Sequence, residues 1–170
     1  ISSIVSNLSA NVVATVPVKI YNNVVRNCKG NGISFGRRDN TVAEPVVSAY
    51  NNTVVTPIGG KGVSVGSSIR SCDIRDNIVI GKPLSADQCV VQNNSTDDLE
   101  SQKFLDPEGR DFRLTANSPA VNVGSSKCPS EDMIGTPRPQ HGACDKGAFE
   151  FVDGDVTSTK PNPPAGVLVD

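Results

Sequence analysis

The chain has 170 residues, a net charge of −2, 36% hydrophobic residues and only 4% aromatics, which leaves room for one domain and a short tail. Its 23 Val against 6 Leu, with 15 Gly, 12 Pro and 15 Asn, favour a pleated, turn-rich protein and exclude a helical bundle. Acidic and basic residues are interspersed, so no basic stripe for nucleic acid is present, and no apolar run approaches the ~20 residues of a membrane span.

Ile1-Ser-Ser-Ile-Val5 opens without an initiator Met or a signal peptide, so we read the chain as a processed or excised piece of a longer one. Asn7-Leu8 and Asn11-Val12-Val13 suggest an irregular first unit. A repeat then sets in. Tyr21-Asn22-Asn23-Val24-Val25 returns as Tyr50-Asn51-Asn52-Thr53-Val54-Val55 and as Arg75-Asp76-Asn77-Ile78-Val79. In phase with it, Asn31-Gly32-Ile33-Ser34-Phe35-Gly36 returns as Lys61-Gly62-Val63-Ser64-Val65-Gly66. Two motifs repeating in one order signal stacked structural units. Ile33-Ser-Phe35, Val47-Ser-Ala49, Val63-Ser-Val65 and Cys72-Asp-Ile74 read as short strands between Gly and Asn corners. No segment has helical apolar spacing over two turns, which excludes a helical repeat.

A coil of ~25–30 residues with about three strands and Asn at fixed corners resembles the right-handed parallel β-helix. In such a solenoid, inward Val and Ile stack into a core, one Asn of each pair faces inward and one outward, and inward amides form a buried ladder. Asn tolerates the left-handed backbone that a tight corner needs. Tyr21 and Tyr50, at equivalent corners, are expected to stack on each other. Asn93-Asn94 reads as a shortened terminal coil. We therefore expect coils over 1–103, a closing segment over 104–152 and a linker over 153–170.

In the closing segment, Asp111-Phe-Arg-Leu114 and Gly147-Ala-Phe-Glu-Phe151 read as strands, and Ser118-Pro119 as the start of a one-turn helix. The run from Phe104 to Gly124, then Asp132-Met-Ile-Gly-Thr-Pro-Arg-Pro139 and Asp145-Lys-Gly-Ala-Phe-Glu-Phe151, resembles the closing motif of bacterial secreted β-helix proteins. Many of these are polysaccharide lyases or epimerases. The resemblance implies an all-β right-handed parallel β-helix with an irregular cap, in a secreted or cell-surface protein. It also implies that Cys128 and Cys144 close the Pro-rich loop. The pairing of Cys28, Cys72 and Cys89 stays open, as an odd count leaves one thiol unpaired within the chain. Residues 155–170 end in a Pro-rich run, are expected to be poorly ordered, and resemble the entry to a further module.

For chemistry, the equivalent loops after Ile33-Ser-Phe35 and after Val63-Ser-Val65 are expected to border one stacked sheet, with Arg37-Arg38-Asp39-Asn40 in the first and Lys61 preceding the second. Arg37 and Arg38 are candidates to hold uronate carboxylates bidentately, and Lys61 is a candidate base for β-elimination. The expected partner is then an acidic polysaccharide, with the main catalytic residues of a lyase upstream of this chain. A non-catalytic adhesive β-helix is the alternative, favoured by the scarcity of sugar-stacking aromatics. Ca²⁺ would draw on Asp39, Asp73 and Asp76, but no calcium-binding pattern is present and no cofactor is assigned. His141, the single His, reads as a surface residue, because no carboxylate partner is evident. The sequons at Asn7, Asn51, Asn93 and Asn94 carry little weight in a chain this rich in Asn. Strand edges near residues 1–20 call for cover by upstream coils of the parent chain or by a partner chain.

Overall fold

The computed structural model describes residues 4–5, 8–12, 17–37, 45–55, 60–81 and 84–154. The expectation for 155–170 lies outside these residues, as do Arg38 and Asp39. Among the described residues the chain is all-β and contains no helix. Thirteen short strands form among the described residues: β1 (Ile4–Val5), β2 (Leu8–Val12), β3 (Val18–Tyr21), β4 (Val24–Arg26), β5 (Ile33–Arg37), β6 (Val47–Tyr50) and β7 (Thr53–Val55) come first. They are followed by β8 (Val63–Val65), β9 (Cys72–Arg75), β10 (Ile78–Ile80), β11 (Val90–Gln92), β12 (Phe104–Asp106) and β13 (Asp111–Leu114).

Three sheets are parallel throughout. Sheet A runs β1-β4-β7-β10, sheet B runs β2-β5-β8, and sheet C runs β3-β6-β9-β11. The chain visits A, B and C in unvarying rotation, and single parallel bridges Ser64–Ser85 and Ile78–Ser95 continue it past β10. The registers obey the sequence repeat: Ile33 lies opposite Val63, Tyr21 opposite Tyr50, and Val25 opposite Val54, which lies opposite Val79. The irregular first unit is present as β1 and β2, paired to β4 and β5.

All three sheets contribute to one core. Val25, Val54 and Val79 from sheet A meet Ile33, Phe35, Val63 and Val65 from sheet B, and Ile20, Val47, Ala49 and Ile74 from sheet C. Sheets B and C alternate apolar and polar residues because one face meets solvent or loops, as in Val63-Ser64-Val65. Sheet A does not alternate: Ile78, Val79 and Ile80 are all buried. Such continuous apolar runs mark strands covered on both faces.

The second cover of sheet A is the C-terminal segment. Phe104, Phe112, Leu114, Ala120, Ala148 and Phe149 pack with Val24, Ile78 and Ile80 into a separate core. The segment thus lies along the flank of the stacked circuits. At the far end of the stack, Val91, in register with the inward Ile74, is 42% exposed.

Two local expectations need correction. Residues 119–122 form a turn and no helix, since Ser118 Oγ accepts only the Ala120 N–H and the chain turns away after Val121 N bonds Ser118 O. Residues 147–151 form no strand, because their donors are taken singly. Gly147 N bonds Asp76 O, Ala148 N bonds Thr53 Oγ1, and Glu150 N and Phe151 N bond the carboxylates of Asp132 and Asp145. The strand read at Asp111–Leu114 does form, antiparallel to β12. Its Asp111 carboxylate is paired with the Arg113 guanidinium at 2.6 Å.

Cys72–Cys89 ties neighbouring circuits at sheet C, and Cys128–Cys144 closes the Pro-rich loop. Cys28 takes part in neither disulfide and is buried in the core, where desolvation pushes its thiol pKa up.

Candidate functional site

The corner between sheets C and A recurs as Tyr21-Asn22-Asn23, Tyr50-Asn51-Asn52, Arg75-Asp76-Asn77 and Gln92-Asn93-Asn94. Its middle residue adopts the left-handed backbone every time, with φ of 54°, 50°, 53° and 55°. That conformation suits Asn and Asp and turns successive side chains to different sides. Three columns result.

The innermost column is an amide ladder. Asn23 Nδ2 donates to Asn52 Oδ1 at 3.0 Å, Asn52 Nδ2 to Asn77 Oδ1 at 2.9 Å, and Asn77 Nδ2 to Asn94 Oδ1 at 2.8 Å. Each Oδ1 also accepts the backbone N–H of the preceding rung. The middle column holds the flanking segment. Asn22 Nδ2 donates to Glu131 O at 2.6 Å, Asn51 Nδ2 to Asp145 O at 2.9 Å and Asn93 Nδ2 to Val123 O at 2.7 Å, while Asp76 accepts from Ser125 N at 3.0 Å.

The outer column is Tyr21, Tyr50, Arg75 and Gln92, aligned by the registers of β3, β6, β9 and β11. The two rings stack at 5.1 Å and 11°, and the Arg75 guanidinium lies 4.6 Å from the Tyr50 ring centre. Tyr50 is therefore covered on both faces. Burial and the neighbouring Tyr21 push its hydroxyl pKa up, against Arg75. Arg75 also pairs with Asp73 and donates to Lys127 O at 2.9 Å.

Because Asn22 holds Glu131, the loop Pro129–Asp132 stands beside the tyrosine column. Between them lies a cleft of about 310 Å³ lined by Tyr21, Asn22, Tyr50, Pro129, Ser130, Glu131 and Asp132. That volume falls at the low end of small-ligand sites, ~300–1,000 Å³. Asp132 is committed to structure: its Oδ1 accepts from Ile134 N and Thr136 N at 2.8 Å, and its Oδ2 from Glu150 N at 2.9 Å. Glu131 is exposed, and no cation among the described residues pairs with it. Asn22 is 5% exposed, and its Oδ1 is buried with no donor among the described residues.

The sequence-based candidates lie elsewhere. Lys61 is exposed at the entry to β8, where its N–H donates to Asn31 Oδ1 at 3.0 Å. Arg37 closes β5; its side chain is outside the described set. With Ile33 opposite Val63, the two positions mark opposite ends of this strand pair, six register steps or ~20 Å apart. They do not converge. Asp73 and Asp76 are taken by Arg75 and by Ser125, and among the described residues no three His, Cys, Asp or Glu side chains are grouped to hold a metal. His141 is exposed, but it does have a carboxylate partner: Nε2 lies 3.1 Å from Asp153 Oδ2. The sequence reading missed Glu131 altogether. It reaches the Tyr21 corner from 109 residues away, and no local pattern marks it.

No protein-family model, curated protein or solved structure matches the chain at a significant level. Among the described residues, no helix is long and apolar enough to cross a membrane. Two disulfides are compatible with an extracellular location.

Proposed function

We propose that the chain is a stretch of right-handed parallel β-helix from a secreted or cell-surface protein, and that it holds polysaccharide without cutting it. The constant rotation through three parallel sheets supports the helix, and the strong right-hand preference of parallel crossovers supplies its sense. The observation that carries the binding role is the cleft between the tyrosine column and Pro129–Asp132, built on rigid strands and on a disulfide-closed loop. β1, β2 and β3 lie at the outer edges of their sheets, so upstream coils of the parent chain would pair with them and carry any catalytic groups.

The lyase reading, with Lys61 as base and Arg37 and Arg38 on the uronate carboxylate, requires all three at one sugar unit. A base must come within hydrogen-bond reach of its proton, and the separation along β5 and β8 does not favour that. Incubation with alginate, pectate and glycosaminoglycans, followed by absorbance of the unsaturated product, separates the two readings. We expect retention on a polysaccharide affinity gel with no rise in absorbance. A sustained rise that is lost in Lys61→Ala would replace the binding role by a catalytic one.

A further inference from the structure

At the far end of the stack, β11 has only β9 beside it among the described residues, and Ser85 and Ser95 each bridge back to the preceding coil. Three of the five large apolar side chains exposed among the described residues belong to this end. Val90 is 58% and Val91 42% exposed, although Val91 stands in register with the fully buried Ile74. Asn93 Nδ2 ties Val123, 44% exposed, to the same coil. Apolar residues exposed along a sheet edge mark a surface that a further strand can cover. The amide ladder points the same way. Asn94 Oδ1 accepts both the N–H and the amide of Asn77, as Asn77 Oδ1 does for Asn52. Asn94 Nδ2 donates to Ile74 O and Gln92 O, but among the described residues no carbonyl of a next rung receives the Asn94 N–H and amide.

Charge decides which strand fits. From Leu84 to Gln102 the chain carries Asp87, Asp97, Asp98 and Glu100, all exposed, and no Lys or Arg. Asp98 caps Ser101 and Asp97 accepts from Gln102, yet among the described residues no cation pairs with any of the four. A second copy meeting this end about a two-fold axis would set these acids against each other, whereas Lys or Arg on an incoming strand offsets them. We propose that β11 is a docking edge for a strand of a partner chain, with an apolar residue over Val91, a carbonyl at Asn94 and basic residues at its ends.

The test is a fluorescence-anisotropy titration with the labelled peptide Lys-Lys-Val-Val-Gln-Asn-Asn-Lys-Lys, which copies Val90–Asn94 between lysines, and with the same peptide carrying Glu for every Lys. We expect only the Lys peptide to bind, and the amides of β11 to gain exchange protection when it does. Asp87→Asn combined with Glu100→Gln should weaken binding about fivefold, the size of two exposed ion pairs. Val91→Lys should abolish it, while Val46→Lys, the same change at an exposed valine outside the last coil, should leave most of it intact. Equal loss in the two lysine variants would reduce the effect to bulk charge and overturn the proposal. So would equal binding of the Glu peptide, or binding of neither. Self-association of the chain alone in sedimentation velocity, removed by Val91→Lys, would give the edge to a second copy instead. Crosslinks from residues 155–170 to β11 in the free chain would give it to the chain's own segment, and either result overturns the partner strand.

Discussion

Asn52 occupies the centre of the amide ladder and is fully buried. Its amide donates to Asn77 Oδ1, Ile20 O and Tyr50 O, and its Oδ1 accepts both the N–H and the amide of Asn23. Truncation to Ala removes the acceptor that the N–H and amide of Asn23 share and the amide donor to Ile20 O and Tyr50 O, in an interior that water does not reach, while Asn77 Oδ1 keeps the Asn52 backbone N–H. Each such group costs about 1–3 kcal/mol, so Asn52→Ala should lose about 3 kcal/mol in urea unfolding. Asn52→Asp should fare no better, because it still accepts from Asn23 but turns an acceptor toward Asn77 Oδ1. Asn51 belongs to the sequon Asn51-Asn-Thr53, yet it is fully buried and its amide is spent on Asp145 O, so the folded chain offers no acceptor there. Gly147 is the counterpart on the flanking segment. Its φ is +84°, and a Cβ would stand 2.7 Å from Ile78 Cδ1 and 2.8 Å from Thr53 Oγ1. Gly147→Ala should therefore cost about 2 kcal/mol or more and expose the segment to protease. Gly135→Ala, at φ +90° with open space around its Cβ, carries the backbone strain without the clash and should cost less.

At the scale of elements, the sheets were largely legible and the flank was not. The strands at Ile33–Phe35, Val47–Ala49, Val63–Val65 and Cys72–Ile74 announce themselves by alternation, and the Asn corners fix their phase; the Tyr21–Tyr50 stack follows from the same phase. A signal for the second core was also present but is easily misread. Thr53-Val54-Val55 and Ile78-Val79-Ile80 fail to alternate, which is how strands buried on both faces appear. What no pattern discloses is which segment supplies the cover. The strand expected at Gly147–Phe151 fails because its donors are met by side chains of sheet A and of the loop, a competition that periodicity does not encode. The site residues suffer for the same reason. Arg37, Arg38 and Lys61 stand out as charges beside a repeat, whereas Glu131 gains its place only when Asn22 captures the loop carbonyl.

At the scale of the whole molecule, the flanking segment buries several acids around one arginine. Arg138 donates to Glu150 Oε2, Asp145 O and Gly147 O, each at 2.9 Å, which fastens the loop closed by Cys128–Cys144 to the chain that crosses sheet A. Asp145, 1% exposed, accepts from Asn122 N and Phe151 N. Burial dominates over these donors and over Arg138, and pushes its pKa up from 3.8 to about 6. The folded chain thus holds this proton more tightly than the unfolded one. Its favourable contribution is complete below about pH 4 and is lost as the pH rises through about 6, where the carboxylate must ionise inside the protein. A shift of that size, in which the lowering by Asn122 N, Phe151 N and Arg138 is already included, bounds the effect at about 3 kcal/mol. Urea midpoints should therefore fall between pH 4.5 and pH 7, with the flanking segment the first part to lose amide-exchange protection. Asp145→Asn, which cannot titrate and keeps one acceptor for Asn122 or Phe151, should be weaker overall yet flat across that interval. An unchanged slope in the variant would assign the pH response to another group.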